Sequence, residues 1–129
     1  MLKIHVLADM KTRDKHKGTK AVAIPAEEYL HICNIPNETD PEEAFYILSG
    51  GILWEEALKQ IELTAWGEIL EHHHANPNLH SGDIVEICDD GKLSKFMLCA
   101  TEGWVKAKLI TAPGFQGHFF AVGKGLILL

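Results

Sequence analysis

The chain has 129 residues, 47 % of them hydrophobic and 23 % charged, with a formal net charge of −6. That is the composition of a single soluble domain, residues 1–129, able to bury a core, and it excludes collagen-like, low-complexity and natively unfolded chains. The acidic balance argues against direct nucleic-acid binding by the whole protein, and three cysteines with no C-x-x-C pair (Cys33, Cys88, Cys99) argue against a disulfide framework or a zinc knuckle.

In chain order, Leu2, Ile4 and Val6 alternate with Lys3 and His5, the period of a half-buried strand. This stretch is too short and too charged for a secretory signal. The longest charge-free run, Leu109 to Gly123, is broken by Pro113, Gly114 and Gly117, so no membrane association is expected and the expected location is the host-cell cytoplasm. Asp9 to Lys20 is polar and basic and reads as an exposed loop or hairpin tip, leading to a second short strand over Ala21 to Ile24. Glu27 to Ile35 fits helix or strand equally. Asp40-Pro41 with Glu43 gives an N-cap carboxylate, a proline at the first helical position and a capping-box glutamate, which predicts a short helix from Pro41 to Leu48, stopped by Gly50-Gly51.

From Trp54 onward, Ala57, Leu58, Ile61, Ala65, Ile69 and Leu70 recur at helical spacing between Glu55, Glu56, Lys59, Glu62, Glu68 and Glu71, predicting one long helix that ends near His74. Gly67 within it marks a bend or a close packing contact. The C-terminal third reads as an antiparallel meander. A two-residue turn at Asp90-Gly91 would set Val85 opposite Phe96 and Glu86 opposite Lys95; a turn at Glu102-Gly103 would set Phe96 opposite Leu109 and Leu98 opposite Ala107. Both turns put Phe96, Leu98, Val105, Ala107 and Leu109 on one face, expected to pack against the Trp54 helix. Trp104, Lys106 and Lys108 fall on the other. A last strand is expected around Phe119 and Phe120. The fold class is therefore α+β: an antiparallel β meander, built from the C-terminal third and the N-terminal strands, packed on one long and one short helix.

Charge is sorted along the chain. Residues 1–20 carry six cations against Asp9 and Asp14, a balance of +4; residues 21–90 carry fifteen carboxylates against Lys59, a balance of −14; residues 91–129 return to +4. Such asymmetry points to electrostatic steering toward a charged partner.

Catalytic signatures are missing. Ser49-Gly50-Gly51 lacks the lysine-serine pair of a P-loop, and most of the carboxylates fall where a solvated surface explains them. Of the eight histidines, His72-His73-His74 invite a metal reading, but adjacent helical residues point about 100° apart and cannot jointly chelate one ion. Glu68 and His72 share a face without an H-E-x-x-H pattern, and satisfied helix-end carbonyls account for the run. No enzyme, cofactor or metal site is expected.

The stretch His80-Ser-Gly-Asp-Ile-Val-Glu-Ile, the Gly91-Lys92 turn, Lys95-Phe-Met-Leu-Cys99 and Glu102-Gly-Trp-Val-Lys106 resembles the C-terminal core of YodL-like domains over about residues 79–108. Ser81, Asp83, Val85, Gly91, Gly103 and Trp104 fit that family's pattern, while Phe96 and Leu98 stand where it more often has tyrosine. The resemblance implies a small protein of a phage, plasmid or integrative element and carries over no catalytic residue.

Together these features suggest a small acidic accessory protein that binds a host protein non-enzymatically. The expected class is an anti-defence inhibitor, anti-CRISPR or anti-restriction, occupying a basic surface built for nucleic acid. The candidate contact residues are Glu55, Glu56, Glu62, Trp104, Lys106 and Lys108. Two alternatives remain: a metal- or small-molecule-binding protein using the His-rich helix end, and a self-assembling structural domain, such as a homodimer, in which the acidic middle of one copy meets the basic end of another.

Overall fold

The computed structural model describes residues 1–8, 23–72, 79–100, 103–112 and 115–121. The loop expected over Asp9 to Lys20, most of the histidine run and the tail after Ala121 lie outside these. The described chain forms eight strands and three helices in the order β1 (Leu2–Leu7), β2 (Ala23–Pro25), β3 (Tyr29–Ile35), α1 (Pro41–Leu48), α2 (Trp54–Leu58), β4 (Glu62–Leu63), α3 (Ala65–His72), β5 (Ile84–Ile87), β6 (Lys95–Ala100), β7 (Gly103–Ala112) and β8 (Phe115–Ala121).

The strands make one antiparallel sheet in the order β2-β8-β7-β6-β5-β1-β3-β4. β2 and β3 stand almost at opposite ends of that order, yet a single 3-10 turn, Ala26–Glu28, joins them. A three-residue link can do this only if the sheet curls until its two ends meet. The ambiguous Glu27 to Ile35 stretch thus resolves into that turn and a strand, β3, paired with β1.

The curl creates two cores. Leu7, Ile24, Tyr29, Ile84, Leu98, Ala107 and Phe119 fill the concave side, where the Tyr29 and Phe96 rings stand edge-on to Phe119 with centroids 5.3 and 5.1 Å away. Leu2, Ile4, Val6, Ile32, Cys33 and Val85 face the opposite side and pack under Ala44, Ile47 and Leu48 of α1 and Ala57 of α2. Consecutive residues of β5, Ile84 and Val85, are both fully buried, one in each core.

α1 forms as its sequence signals: the Asp40 carboxylate accepts from Glu42 N at 3.0 Å. The reciprocal half of the cap comes from Glu38, whose carboxylate accepts the amides of Thr39 and Asp40 at 2.9 and 3.0 Å, rather than from Glu43. Gly50 ends the segment with a φ of 91°, open to glycine at no steric cost.

The long helix does not exist as one element. α2 stops at Leu58, Ile61 turns into the core, β4 pairs Leu63 with Cys33, and a new helix begins at Ala65. Thr64 makes the break: its hydroxyl donates to His31 O at 2.6 Å and accepts from Gly67 N at 3.2 Å, capping α3 while pinning it to β3. The apolar stripe accordingly loses meaning past Ile61, and Ala65 and Ile69 are exposed. Gly67 marks a close contact, since a Cβ there would meet the carbonyl oxygen of Ile32.

The meander is present with shifted registers. β5 and β6 are joined through residues 88–94, with Lys92 N donating to Asp89 O, instead of a two-residue turn. Ile84 therefore faces Leu98 and Glu86 faces Phe96, one residue off the expected pairing. β6 and β7 turn between Ala100 and Gly103, so Leu98 faces Val105 and Phe96 faces Ala107, two residues off. A two-residue slip preserves faces. Phe96, Leu98, Val105 and Ala107 do share a side, but it is the concave core, away from the Trp54 helix, and Leu109 is 41 % exposed.

Candidate functional site

All three helices lie between β3 and β5 in sequence and pack on β1, β3 and β5, with β4 at the adjoining sheet edge, so the acidic middle of the chain gathers at that end of the sheet. Glu42 and Glu43 in α1 and Glu55 and Glu56 in α2 occupy first turns, where the helix dipole favours a carboxylate. They are exposed, as are Asp40, Glu62 and Glu68; Glu71 is half-buried. Lys59 Nζ sits 3.1 Å from Glu56 Oε1, both exposed, a pair worth little in water. Among the described residues between 23 and 90 it is the one lysine or arginine.

The other candidate contacts lie elsewhere. Trp104 stands opposite Cys99 and is half-buried against the helix-side core, so only part of its ring surface is open to a partner. Lys106 and Lys108 follow on the same face of β7 by the alternation of the strand, and both are exposed. β7 and β4 are five places apart in the sheet. At about 4.8 Å per strand, roughly 24 Å of curled sheet separates Glu62 from the lysines. The glutamates thus share one end of the strand order and the lysines one face of β7.

A third cluster was not visible as such in the sequence. Lys3 and His5 of β1 face Glu86 and Ile84 of β5. His5 Nε2 and Glu86 Oε1 are 3.0 Å apart, both largely buried, and the His31 ring lies 5.0 Å from that of His5. Burial holds the His5 pKa below its ordinary value, outweighing the hydrogen bond to Glu86. Burial alone would raise Glu86, but hydrogen bonds from Ser94 and His5 keep its carboxyl below the ordinary range. A neutral imidazole thus donates Nε2–H to an ionised carboxylate, which fixes the tautomer. The neighbouring hydroxyl and thiol, Ser94 and Cys88, bond Glu86 rather than the imidazole, with Cys88 Sγ 3.6 Å from Glu86 Oε2. That is not the order of nucleophile, base and orienting acid that activates a nucleophile. The Asp90-Gly91 turn predicts Glu86 opposite Lys95 and so hides the cluster; Lys95 pairs with Ile87 instead.

Asp83 is fully buried and structural, accepting from Leu7 N at 3.1 Å and His80 N at 2.8 Å and so tying β1 to the start of β5. Burial pushes the Cys33 thiol up to about 12, which leaves it inert as a nucleophile. Among the described residues no three His, Cys, Asp or Glu side chains are placed to hold a metal ion, and no helix is long and apolar enough to cross a membrane. His73 and His74 lie outside the described residues.

In comparisons with known proteins, no family model, no curated protein and no solved structure matches the chain significantly.

Proposed function

We propose that this is a non-enzymatic binding protein, a small acidic accessory of a phage or mobile element, that inhibits host defence in the manner of an anti-CRISPR or anti-restriction protein. In this reading its acidic layer occupies a basic host-protein groove that otherwise holds nucleic acid. The observation that carries the reading is the exposure of Asp40, Glu42, Glu43, Glu55, Glu56, Glu62 and Glu68 on consecutive elements, with Lys59, paired to Glu56, the one lysine or arginine among the described residues between 23 and 90. Carboxylates mounted on short helices against a rigid sheet present fixed negative charge to lysine- and arginine-lined grooves. They accelerate encounter and select against acidic partners. The resemblance of residues 79–108 to YodL-like domains supports the mobile-element setting.

The test is affinity capture from host lysate at low and high salt, followed by kinetics on the captured protein with a Glu55→Lys/Glu56→Lys/Glu62→Lys variant. The expected result is an association rate at least tenfold lower and a flatter salt dependence for the variant, with nucleic acid competing for the same groove. An unchanged rate and salt slope would overturn the electrostatic reading.

A further inference from the structure

β7, five places from β4 in the strand order, carries a second surface. β7 is ten residues long, but its pairing with β6 ends at Ala107 opposite Phe96, whereas its pairing with β8 continues to Ala112. Among the described residues, no strand pairs with Lys108–Ala112 on the β6 side. A groove of about 680 Å³ opens there, bounded by Ser94, Phe96, Lys106, Lys108, Leu109 and Ile110 and reached by Lys95 and Met97. Leu109 and Ile110 are 41 % and 49 % exposed, and Lys95, Lys106 and Lys108 are exposed as well.

The chemistry of this groove alternates. Phe96, Ala107 and Leu109 fall on the concave face of the pleat, while Lys95, Lys106 and Lys108 fall on the other. An uncovered strand edge offers amide and carbonyl groups in register for one more strand. A segment laid against it would turn every second side chain toward Phe96 and Leu109 and the intervening ones toward three ammonium groups.

We infer that the open edge of β7 at Lys108–Ile110 is a strand-addition site for an extended protein segment in which apolar and acidic residues alternate. This site is separate from the acidic layer and does not depend on the function proposed for that layer. The lysines supply charge complementarity to the acidic positions, the backbone edge supplies affinity without sequence preference, and the period of two supplies selectivity.

The test titrates the full-length protein with fluorescent eight-residue peptides by anisotropy: one alternating valine with aspartate or glutamate, one of the same composition with acids and valines in separate blocks, and one with lysine in place of each acid. Two further versions of the first peptide carry N-methyl groups on its odd or its even residues. The alternating acidic peptide is expected to bind at least tenfold more tightly than the blocked or basic ones. One N-methyl set, but not the other, should abolish binding, because only one edge of the added strand faces β7. Lys106→Glu/Lys108→Glu should weaken binding at least tenfold with an unchanged circular dichroism spectrum. Equal binding of the blocked peptide, indifference to both N-methyl sets, or no saturation by millimolar peptide would overturn the inference. So would tighter binding of a single-stranded oligonucleotide, or self-association of the chain through these lysines in place of peptide binding.

Discussion

Gly67 shows how one missing methyl group sets the position of a helix. It lies where α3 meets β3, with Thr64 anchoring the helix start to His31 O and the Ile32 carbonyl oxygen directly over its Cα. Alanine is the better helix former by about 1 kcal/mol, so propensity alone predicts that Gly67→Ala stabilises the protein. The contact is with backbone of β3, paired to β1 on one side and β4 on the other, which cannot rotate out of the way as a side chain would. Steric overlap in a packed site costs about 1 to 3 kcal/mol. Because the clash is with a backbone oxygen, the upper part of that range applies, and the expected outcome of Gly67→Ala is net destabilisation by up to about 2 kcal/mol after the propensity gain. Urea titration checks it, and a higher midpoint than wild type would mean that α3 moves freely away from β3.

Between elements, the His5–Glu86 pair joins β1 to β5 and makes that junction sensitive to acid. His5 is neutral when folded because burial lowers its pKa, so below its ordinary value of 6.5 the unfolded chain takes up a proton that the folded one resists. Stability is then complete above that pH and falls as pH drops through the window beneath it. Glu86 acts in the same direction lower down: its folded pKa lies below the ordinary 4.5, so its contribution is present above that value and is lost as pH falls toward the folded one. Denaturant midpoints measured from pH 8 to 3 should decline first below about 6.5, and His5→Gln should flatten that first decline. A wild-type midpoint constant between pH 7 and 5 would mean that His5 is protonated in the folded state without penalty. Elements with local signals were legible in the sequence: Asp40-Pro41 starts α1, and the alternation of Leu2, Ile4 and Val6 marks β1. The long helix was not, because Ile61, Ala65 and Ile69 continue a helical stripe by spacing alone, whereas Ile61 joins the core and Ala65 and Ile69 are exposed. The registers failed for a related reason. Ile84 and Val85 are both buried, so hydrophobicity carries no face information in β5, and a one-residue slip there displaced Glu86 from its partners. Of the candidate contacts, the exposed positions of Glu55, Glu56 and Glu62 follow from the sequence pattern, but the distance between them and Lys106 depends on strand order, which no local pattern encodes.

At the scale of the whole molecule, the curled sheet is a shared wall between two cores, and this decides how the protein unfolds. Ile47 of α1 belongs to the helix-side core and Leu98 of β6 to the concave one, yet both rest on the same strands, since β1 sends Ile4 to one side and Leu7 to the other, and β5 sends Val85 and Ile84. Neither core can dissolve without stripping one face from strands that the other core needs. The charge pattern runs across this wall, with the acidic layer over the β4 end and the lysine groove beside β7, so a single cooperative unit also holds the two charged surfaces at a fixed separation. Ile47→Ala and Leu98→Ala should each cost about 2 to 5 kcal/mol, the range for truncating a buried aliphatic side chain. Each should shift one common transition, with helical signal at 222 nm and tryptophan fluorescence moving together, because small single domains unfold as one unit when their cores are coupled. An Ile47→Ala protein that loses helical signal well before its tryptophan fluorescence changes would show instead that the acidic layer melts off a sheet able to stand alone.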